Sequence, residues 1–231
     1  MKNKVLAIGA LIIVVLSGIV VFSIVETTVE GDPIRVACIG DSITQGSGYP
    51  SKLHELLGSN YTVANFGVSG STVSSNSKEP YMNQTAFQEA IDYHPDIVII
   101  MLGTNDANPD IAQNETSFET DYSQIIAAFE NLEGRQLIWV LKSPPIFAQD
   151  SSYNNTYLEK NLLPKIDRLA DQMDLPTVDL YSAFSDHSDY FMDGVHPDSD
   201  GATLIANNVY DAITLPDGSP DTSFFGDGYS G

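Results

Sequence analysis

The stretch Asp96-Ile-Val-Ile-Ile-Met-Leu102 decides the fold class of this chain. After its aspartate the stretch is continuously apolar, which is typical of a central strand in a parallel sheet that is covered on both faces. The motif Gly103-Thr-Asn-Asp106 follows directly. Because ligands of open parallel sheets bind beyond the carboxyl ends of the strands, this motif lies where a functional site is expected.

Further apolar runs alternate with amphipathic stretches on either side of this strand. We predict strands over residues 34–39, 61–66, 136–141 and 176–180, and helices over residues 50–57, 84–93, 117–132, 157–173 and 200–213. Strands and helices that alternate in this way form a mostly parallel sheet with helices on both faces, so the sequence predicts an α/β fold.

The composition is strongly acidic and makes nucleic acid an unexpected partner. The chain has 31 Asp and Glu residues against 10 Lys and Arg, a formal charge of -21, and its basic residues are scattered singly. This acidity fits either an ordinary solvated surface or an adaptation to high salt, in which ions screen the self-repulsion. The single cysteine, Cys38, lies in an apolar run and is expected to be a buried, unreactive thiol.

The N-terminus predicts a membrane segment. Lys2 and Lys4 precede an uncharged run over residues 5–25, which as a helix would extend about 31 Å and match a bilayer core. No Ala-x-Ala-like site follows, which favours an uncleaved transmembrane helix over a secretory signal, although cleavage stays open. The lysines before the run place the rest of the chain outside the cytoplasm. Sequons that agree with export begin at Asn60, Asn83, Asn114 and Asn154.

We divide the chain into four parts. They are an anchor or signal segment over residues 1–26, a linker over 27–33, one globular domain over 34–214, and a flexible tail over 215–231 that is rich in turn-forming residues. The central part has the usual length of one domain with one core.

Two motifs supply a nucleophile and a base. Gly40-Asp41-Ser42 follows the first strand of the domain, and the Ser42 hydroxyl needs a base to become a strong nucleophile. In Asp193-Gly-Val-His-Pro197 the carboxylate can reach the Nδ1–H of His196 and leave Nε2 free as that base. Each motif also has a simpler interpretation, because Ser42 could be a helix N-cap and Asp-Gly a turn.

Two other motifs could stabilise negative charge. The Asn105 amide can donate a hydrogen bond to a developing oxyanion, although Asn105 and Asp106 could instead cap their own turn. The glycines of Asn65-Phe-Gly-Val-Ser-Gly-Ser71 allow the backbone to approach a ligand closely. Because the motifs have complementary roles and follow strands whose ends converge, together they indicate a catalytic site.

These motifs resemble those of the GDSL-like, or SGNH, hydrolases over residues 34–213. The resemblance implies a three-layer α/β/α sandwich of flavodoxin-like type with a five-stranded parallel sheet, and no metal or organic cofactor. In this family a glycine N–H donates to the oxyanion, and Gly67 competes with Gly70 as the matching residue. Ile43 stands where the family name implies leucine. The resemblance implies the following site: a catalytic triad of Ser42, Asp193 and His196, with oxyanion donors from the Ser42 amide, Gly70 and Asn105.

The resemblance also implies a serine ester hydrolase that forms an acyl-enzyme on Ser42. The loops over residues 74–84 and 107–117 are mostly polar, which favours a short acyl group on a polar alcohol. The runs over residues 39–50 and 65–72 look most like those of carbohydrate O-acetylesterases. A lysophospholipase or thioesterase acting on lipid is the alternative enzyme, and a non-catalytic surface-binding domain is the alternative of another class. The oligomeric state stays open.

Overall fold

The computed structural model describes residues 11–16, 19–24, 32–112, 117–149, 152–215 and 220–221. The strands of this part are β1 (Leu11–Leu16), β2 (Ile19–Ile24), β3 (Ile34–Gly40), β4 (Tyr61–Gly67), β5 (Ile97–Met101), β6 (Leu137–Lys142) and β7 (Thr177–Asp179). Its helices are α1 (Ser42–Gly46), α2 (Tyr49–Leu57), α3 (Thr85–Asp92), α4 (Pro109–Ala112), α5 (Phe118–Glu130), α6 (Asn155–Tyr157), α7 (Leu163–Met173), α8 (Leu180–Ala183) and α9 (Ser199–Ile213).

Five strands form one parallel sheet in the order β4-β3-β5-β6-β7. The chain runs outward from β3 to β4, crosses back over β3 to β5, and continues to β6 and β7. The order therefore reverses between β3 and β5, which is where open α/β sheets form their ligand sites. The predicted α/β fold with a five-stranded parallel sheet is confirmed.

Alternate residues of the strands pack on opposite faces of the sheet. Val98 and Ile100 of β5 belong to one apolar cluster, which contains buried residues of α5 and α7. Ile97 and Ile99 belong to a second cluster, with buried residues of α2 and α9. Helices therefore cover both faces, and β5 is buried along its whole length. Cys38 lies in the second cluster, and burial raises the pKa of its thiol to about 12.

The boundaries of some elements differ from the predicted ones. The helix predicted over residues 157–173 is divided by a π-helical turn at Leu158–Leu162, after which α7 begins with Leu163 and Pro164. Pro164 has no N–H to donate to a carbonyl of the preceding turn, and the helical run passes this position through the wider π-helical turn. The strand predicted over 176–180 ends at Asp179, because the Asp179 side chain accepts a hydrogen bond from the Ser182 N–H and caps α8.

The described residues of the N-terminal segment, 11–16 and 19–24, are extended, whereas the sequence predicts a helix over residues 5–25. β1 and β2 pair as antiparallel strands, from Leu11 opposite Ile24 to Leu16 opposite Ile19. The β-branched Val and Ile residues of these two segments restrict their χ1 angles in a helix and favour extended backbone. Among the described residues, no helix is both long and apolar enough to span a membrane.

The C-terminal segment is described only in part. Pro220 forms an antiparallel bridge with Thr214, and the Asp221 N–H donates to the Ile213 carbonyl at 2.8 Å. This part of the predicted flexible tail is therefore held against the end of α9. Residues 216–219 and 222–231, most of the predicted linker, and the sequon residue Asn114 lie outside the described residues.

Candidate active site

Ser42 lies at the first position of α1, directly beyond the carboxyl end of β3. The N-cap of this helix is Asp41, whose Oδ1 accepts a hydrogen bond from the Ile43 N–H at 2.9 Å. The structure therefore excludes the interpretation of Ser42 as a cap and leaves its hydroxyl free for another partner. Gly40 makes the turn possible, because a Cβ there would lie 2.0 Å from Thr44 Oγ1.

Ser42, His196 and Asp193 form a continuous chain of hydrogen bonds. Ser42 Oγ lies 2.9 Å from His196 Nε2, and His196 Nδ1 lies 2.7 Å from Asp193 Oδ2. Ser42 and His196 are 154 residues apart in sequence, so only the fold brings these side chains together. The arrangement matches that of a nucleophile, a base and the carboxylate that orients the base.

The Asp193 carboxylate is stabilised in its charged form. Its Oδ1 accepts hydrogen bonds from the backbone N–H groups of Val195 and His196, at 2.9 and 2.7 Å. Partial burial alone would raise the pKa of Asp193, but these bonds and the one from the His196 side chain outweigh it and lower the pKa to about 2. The predicted Asp-Gly turn is thus present as well, and it also positions the carboxylate.

Asn105 faces the same edge of the sheet from the loop after β5. Its side chain is buried, and Nδ2 donates to the Ser71 carbonyl at 2.8 Å. An amide group has two N–H donors, so the second remains for a ligand. This contact connects the loop after β5 with the loop after β4, and Asn105 does not cap its own turn.

Gly70, rather than Gly67, has the properties of a donor at an open site. Gly70 is exposed, has a φ of +79° and would leave open space around a Cβ. Gly67 is buried, its N–H donates to Asn65 Oδ1, and a Cβ there would lie 2.4 Å from the Gln45 nitrogen. The need for glycine at position 67 therefore comes from packing against α1.

Two buried carboxylates, which sequence reasoning did not assign, hold the loop that follows Gly70. Asp106 is fully buried and accepts hydrogen bonds from the N–H groups of Val73 and Ser74, at 3.0 and 2.9 Å. Asp121 accepts from the Ser75 N–H at 2.8 Å. Asp106 appeared in sequence only as a residue that could cap its own turn. Its actual partners are more than 30 residues away, so no local pattern could have identified them.

Backbone hydrogen bonds to the loop after β6 hold the loop that carries Asp193 and His196. The Gly194 carbonyl accepts hydrogen bonds from the N–H groups of Phe147 and Ala148, at 2.7 and 3.1 Å. Gly194 has a φ of +79°, and a Cβ there would lie 2.5 Å from the Ala148 nitrogen. This close contact with the loop after β6 requires glycine at position 194.

The residue that directly precedes the nucleophile, Asp41, carries a buried carboxyl group. Asp41 is 1% exposed, and its Oδ2 is fully enclosed by the protein. Burial raises the pKa of Asp41 to about 6, although the hydrogen bond from Ile43 and the charge of His196 oppose the rise. Within the described residues, no group of three or more His, Cys, Asp or Glu side chains could hold a metal ion.

Known proteins with related sequences and folds include several esterases. An acetylxylan esterase of Xylanibacter ruminicola is 33% identical over 208 residues, which cover 79% of this chain and 43% of that protein. The chain therefore spans less than half the length of this relative. The crystal structure of the acetyl xylan esterase AlAXEase matches with a TM-score of 0.64 at 20% identity, covering 78% of this chain and all of that one. A carbohydrate acetylesterase of Sinorhizobium meliloti matches with a TM-score of 0.64 at 20% identity, covering 77% and 97%.

A family model gives the assignment for most of the chain. Residues 38–204 match the GDSL-like lipase/acylhydrolase model. This range contains the turn after β3, the loops after β4 and β5, and the loop with Asp193 and His196. The chain belongs to the GDSL-like lipase/acylhydrolase family.

Proposed function

We propose that this chain is a serine carboxylic ester hydrolase that removes acetyl groups from a carbohydrate. The observation that carries the proposal is the chain of hydrogen bonds from Ser42 Oγ through His196 to Asp193, at 2.9 and 2.7 Å. A serine that merely caps a helix needs neither a base nor an oriented carboxylate.

The first step forms an acyl-enzyme on Ser42. His196 Nε2 accepts the hydroxyl proton as Ser42 Oγ attacks the ester carbonyl carbon, and Asp193 stabilises the imidazolium through Nδ1–H. The imidazolium then donates its proton to the departing alcohol oxygen as the carbon–oxygen bond breaks. Water enters, loses a proton to His196 and attacks the acyl carbon. The imidazolium returns this proton to Ser42 Oγ as the bond between Oγ and the acyl carbon breaks, which releases the acid and restores Ser42.

We assign three donors to the developing oxyanion. They are the N–H groups of Ser42 and Gly70 and the second N–H of Asn105. Each is held before the substrate arrives: Ser42 by the cap of α1, Asn105 by its bond to Ser71, and Gly70 by a loop fixed to Asp106. Donors that need no reorganisation stabilise the transition state most effectively.

The acetylated carbohydrate is proposed from the relatives and from the character of the site. The similar proteins include an acetylxylan esterase and a carbohydrate acetylesterase. Ser69 and Gly70 are exposed at the candidate site, and the Ser69 N–H donates to the Gln45 side chain. Such polar surroundings suit a hydroxylated alcohol and a short acyl group better than a long acyl chain.

Measurements on the purified full-length chain in mild detergent would test this function. Acetate release from acetylated xylan is expected, together with faster hydrolysis of aryl acetates than of aryl octanoates. The variant Ser42→Ala should be inactive on all of them. Equal activity of this variant would refute the serine mechanism, and a preference for octanoates would favour a lipid acyl hydrolase.

We further propose that the domain lies outside the cytoplasm and is tethered through residues 5–25. The support is the length of this uncharged run and the lysines before it. A two-stranded ladder has unpaired edges, which hydrocarbon does not tolerate, whereas a helix pairs its backbone internally. We therefore propose that the segment becomes helical in a bilayer.

Cell fractionation with alkaline extraction, combined with protease treatment of intact cells, would test the tether. The chain should stay with the membrane after extraction and be degraded from outside. Recovery in the cytoplasmic fraction would refute export, and a mature chain that starts after residue 25 would show a cleaved signal instead.

A further inference from the structure

The loop that carries Asp193 and His196 is a small antiparallel hairpin. The Asp198 N–H donates to the Tyr190 carbonyl at 2.8 Å, and the Met192 N–H donates to the His196 carbonyl at 3.2 Å. Between these bonds, Phe191 and Pro197 form an antiparallel bridge. Met192 and His196 are therefore directly opposite each other in the ladder.

The two faces of this hairpin have different surroundings. Phe191 and Pro197 are buried, and the Phe191 ring packs against Phe147 and Phe184, with centroids 5.1 and 5.2 Å apart. Because successive side chains of a strand point to opposite faces, Met192 and His196 share the other face. Directly opposite residues of an antiparallel pair have Cβ atoms about 4.5–5.5 Å apart, from which we infer that Met192 lies close to the imidazole that contacts Ser42.

Met192 is unusually exposed for a large apolar side chain. It is 79% exposed, whereas Leu56 and Leu215, the other exposed large apolar side chains of the described chain, are 43% and 41% exposed. An apolar side chain beside a catalytic base offers surface that a substrate can cover, and the flexible thioether of methionine adapts to ligands of different shape.

The position beside His196 indicates which part of the substrate is covered. His196 Nε2 must donate its proton to the alcohol oxygen, so the alcohol leaves on the side of the imidazole. The oxyanion donors Asn105 and Gly70 belong to loops after other strands, β5 and β4. A side chain on the hairpin therefore contacts the alcohol portion rather than the carbonyl oxygen.

We propose that Met192 is a specificity-determining residue that packs against the apolar face of the leaving alcohol, either the C–H face of a sugar ring or an aryl ring. This inference rests on the proposed esterase activity and gives it an alcohol-side contact. Covering about 40 to 60 Å² of apolar surface corresponds to about a 5- to 13-fold gain in kcat/KM.

The experiment compares Met192→Gln and Met192→Leu with the wild-type chain on acetate esters of different alcohols. Met192→Gln keeps the length of the side chain and removes its apolar end. It should lower kcat/KM by about 5- to 13-fold for phenyl acetate and for an acetylated methyl xyloside, but leave methyl acetate almost unchanged. Met192→Leu should restore most of the activity. Leu56→Gln, on α2, is the matched control and should change none of these values.

Esters that differ only in their acyl group provide a second comparison. The loss caused by Met192→Gln should be the same for phenyl acetate and phenyl butyrate, because the contact is with the alcohol. A loss that grows with acyl length, an equal loss on methyl acetate, or no loss on any ester would overturn the proposal.

Failure of the proposed function gives a different result. If acetylated xyloside is not hydrolysed but phenyl acetate is, the carbohydrate substrate is wrong, and the comparison of phenyl with methyl acetate still tests Met192. If the wild-type chain hydrolyses none of the esters, both proposals are overturned.

Discussion

The substitution Asp106→Asn tests whether the oxyanion loop is positioned by a buried carboxylate. Each oxygen of Asp106 accepts one backbone N–H, from Val73 and Ser74. An asparagine amide would present its NH₂ group to one of these donors. The variant therefore loses a hydrogen bond to a charged group and leaves one N–H without an acceptor, at a cost of about 3 kcal/mol in the free energy of unfolding. In a domain of this size, that is about 6 to 12 °C in Tm.

The expected effect on catalysis follows from how close in sequence the residues held by Asp106 are to Gly70. Val73 lies three residues after Gly70, so a shift of the anchored backbone displaces the Gly70 N–H. A displaced oxyanion donor should lower kcat by about 10- to 100-fold, less than the full loss of a donor, while KM changes little. Steady-state kinetics with phenyl acetate and thermal unfolding of the same preparation would measure both effects.

Asp121→Ala is the control for stability. It removes the hydrogen bonds from the Ser75 N–H and the Ser117 hydroxyl, at 2.8 and 2.7 Å, and should lower Tm by a similar amount. Asp121 holds Ser75, which is farther from Gly70 than the residues held by Asp106, so kcat should fall much less than in Asp106→Asn. If the two variants lose kcat equally at equal loss of Tm, Asp106 has only a structural role and the reasoning is wrong.

Three further perturbations address the rest of the site and the surface. Asn105→Ala should lower kcat by about 10²- to 10³-fold with little change in KM, and a rise in KM alone would contradict its role as an oxyanion donor. Asp193→Asn should lower kcat by about 10⁴-fold because it no longer fixes the tautomer of His196. The pKa of Asp193 is lowered to about 2, so its contribution to stability should be complete above about pH 4 and lost as the pH falls toward 2, which acid titrations of wild type and variant would compare. Because the chain carries a charge of -21, Tm should rise by several degrees between low salt and 1 M NaCl, and an unchanged Tm would show that self-repulsion does not limit stability.

The central sheet could be predicted well from sequence because its signal is local. Residues 97–102 are apolar without interruption, and β5 spans Ile97–Met101 of this stretch. The polar residues that end each strand could be located for the same reason. Ser42, Asn105 and His196 could be proposed as site residues because each lies within a short motif directly after a strand or before a helix.

Other features depend on contacts that no local pattern records. The partners of Asp106 belong to a loop more than 30 residues earlier, and the burial of Asp41 depends on the tertiary packing around the turn after β3. The segment over residues 5–25 is apolar but also rich in β-branched residues, so its length and its local propensity point to different structures. Its hydropathy alone could not predict the paired strands β1 and β2.

The short hairpin with Asp193 and His196 has a consequence for how activity is lost on heating. Both side chains belong to the same turn, so the 2.7 Å bond between them moves with the loop. The 2.9 Å contact with Ser42 instead requires the loop to stay in place, and the hydrogen bonds that Gly194 accepts from Phe147 and Ala148 are part of what holds it. Loss of these hydrogen bonds would move the Asp193–His196 pair, still joined, away from Ser42 while the sheet is folded. Labelling of Ser42 by a fluorophosphonate should therefore disappear at a lower temperature than the near-UV circular dichroism of the domain.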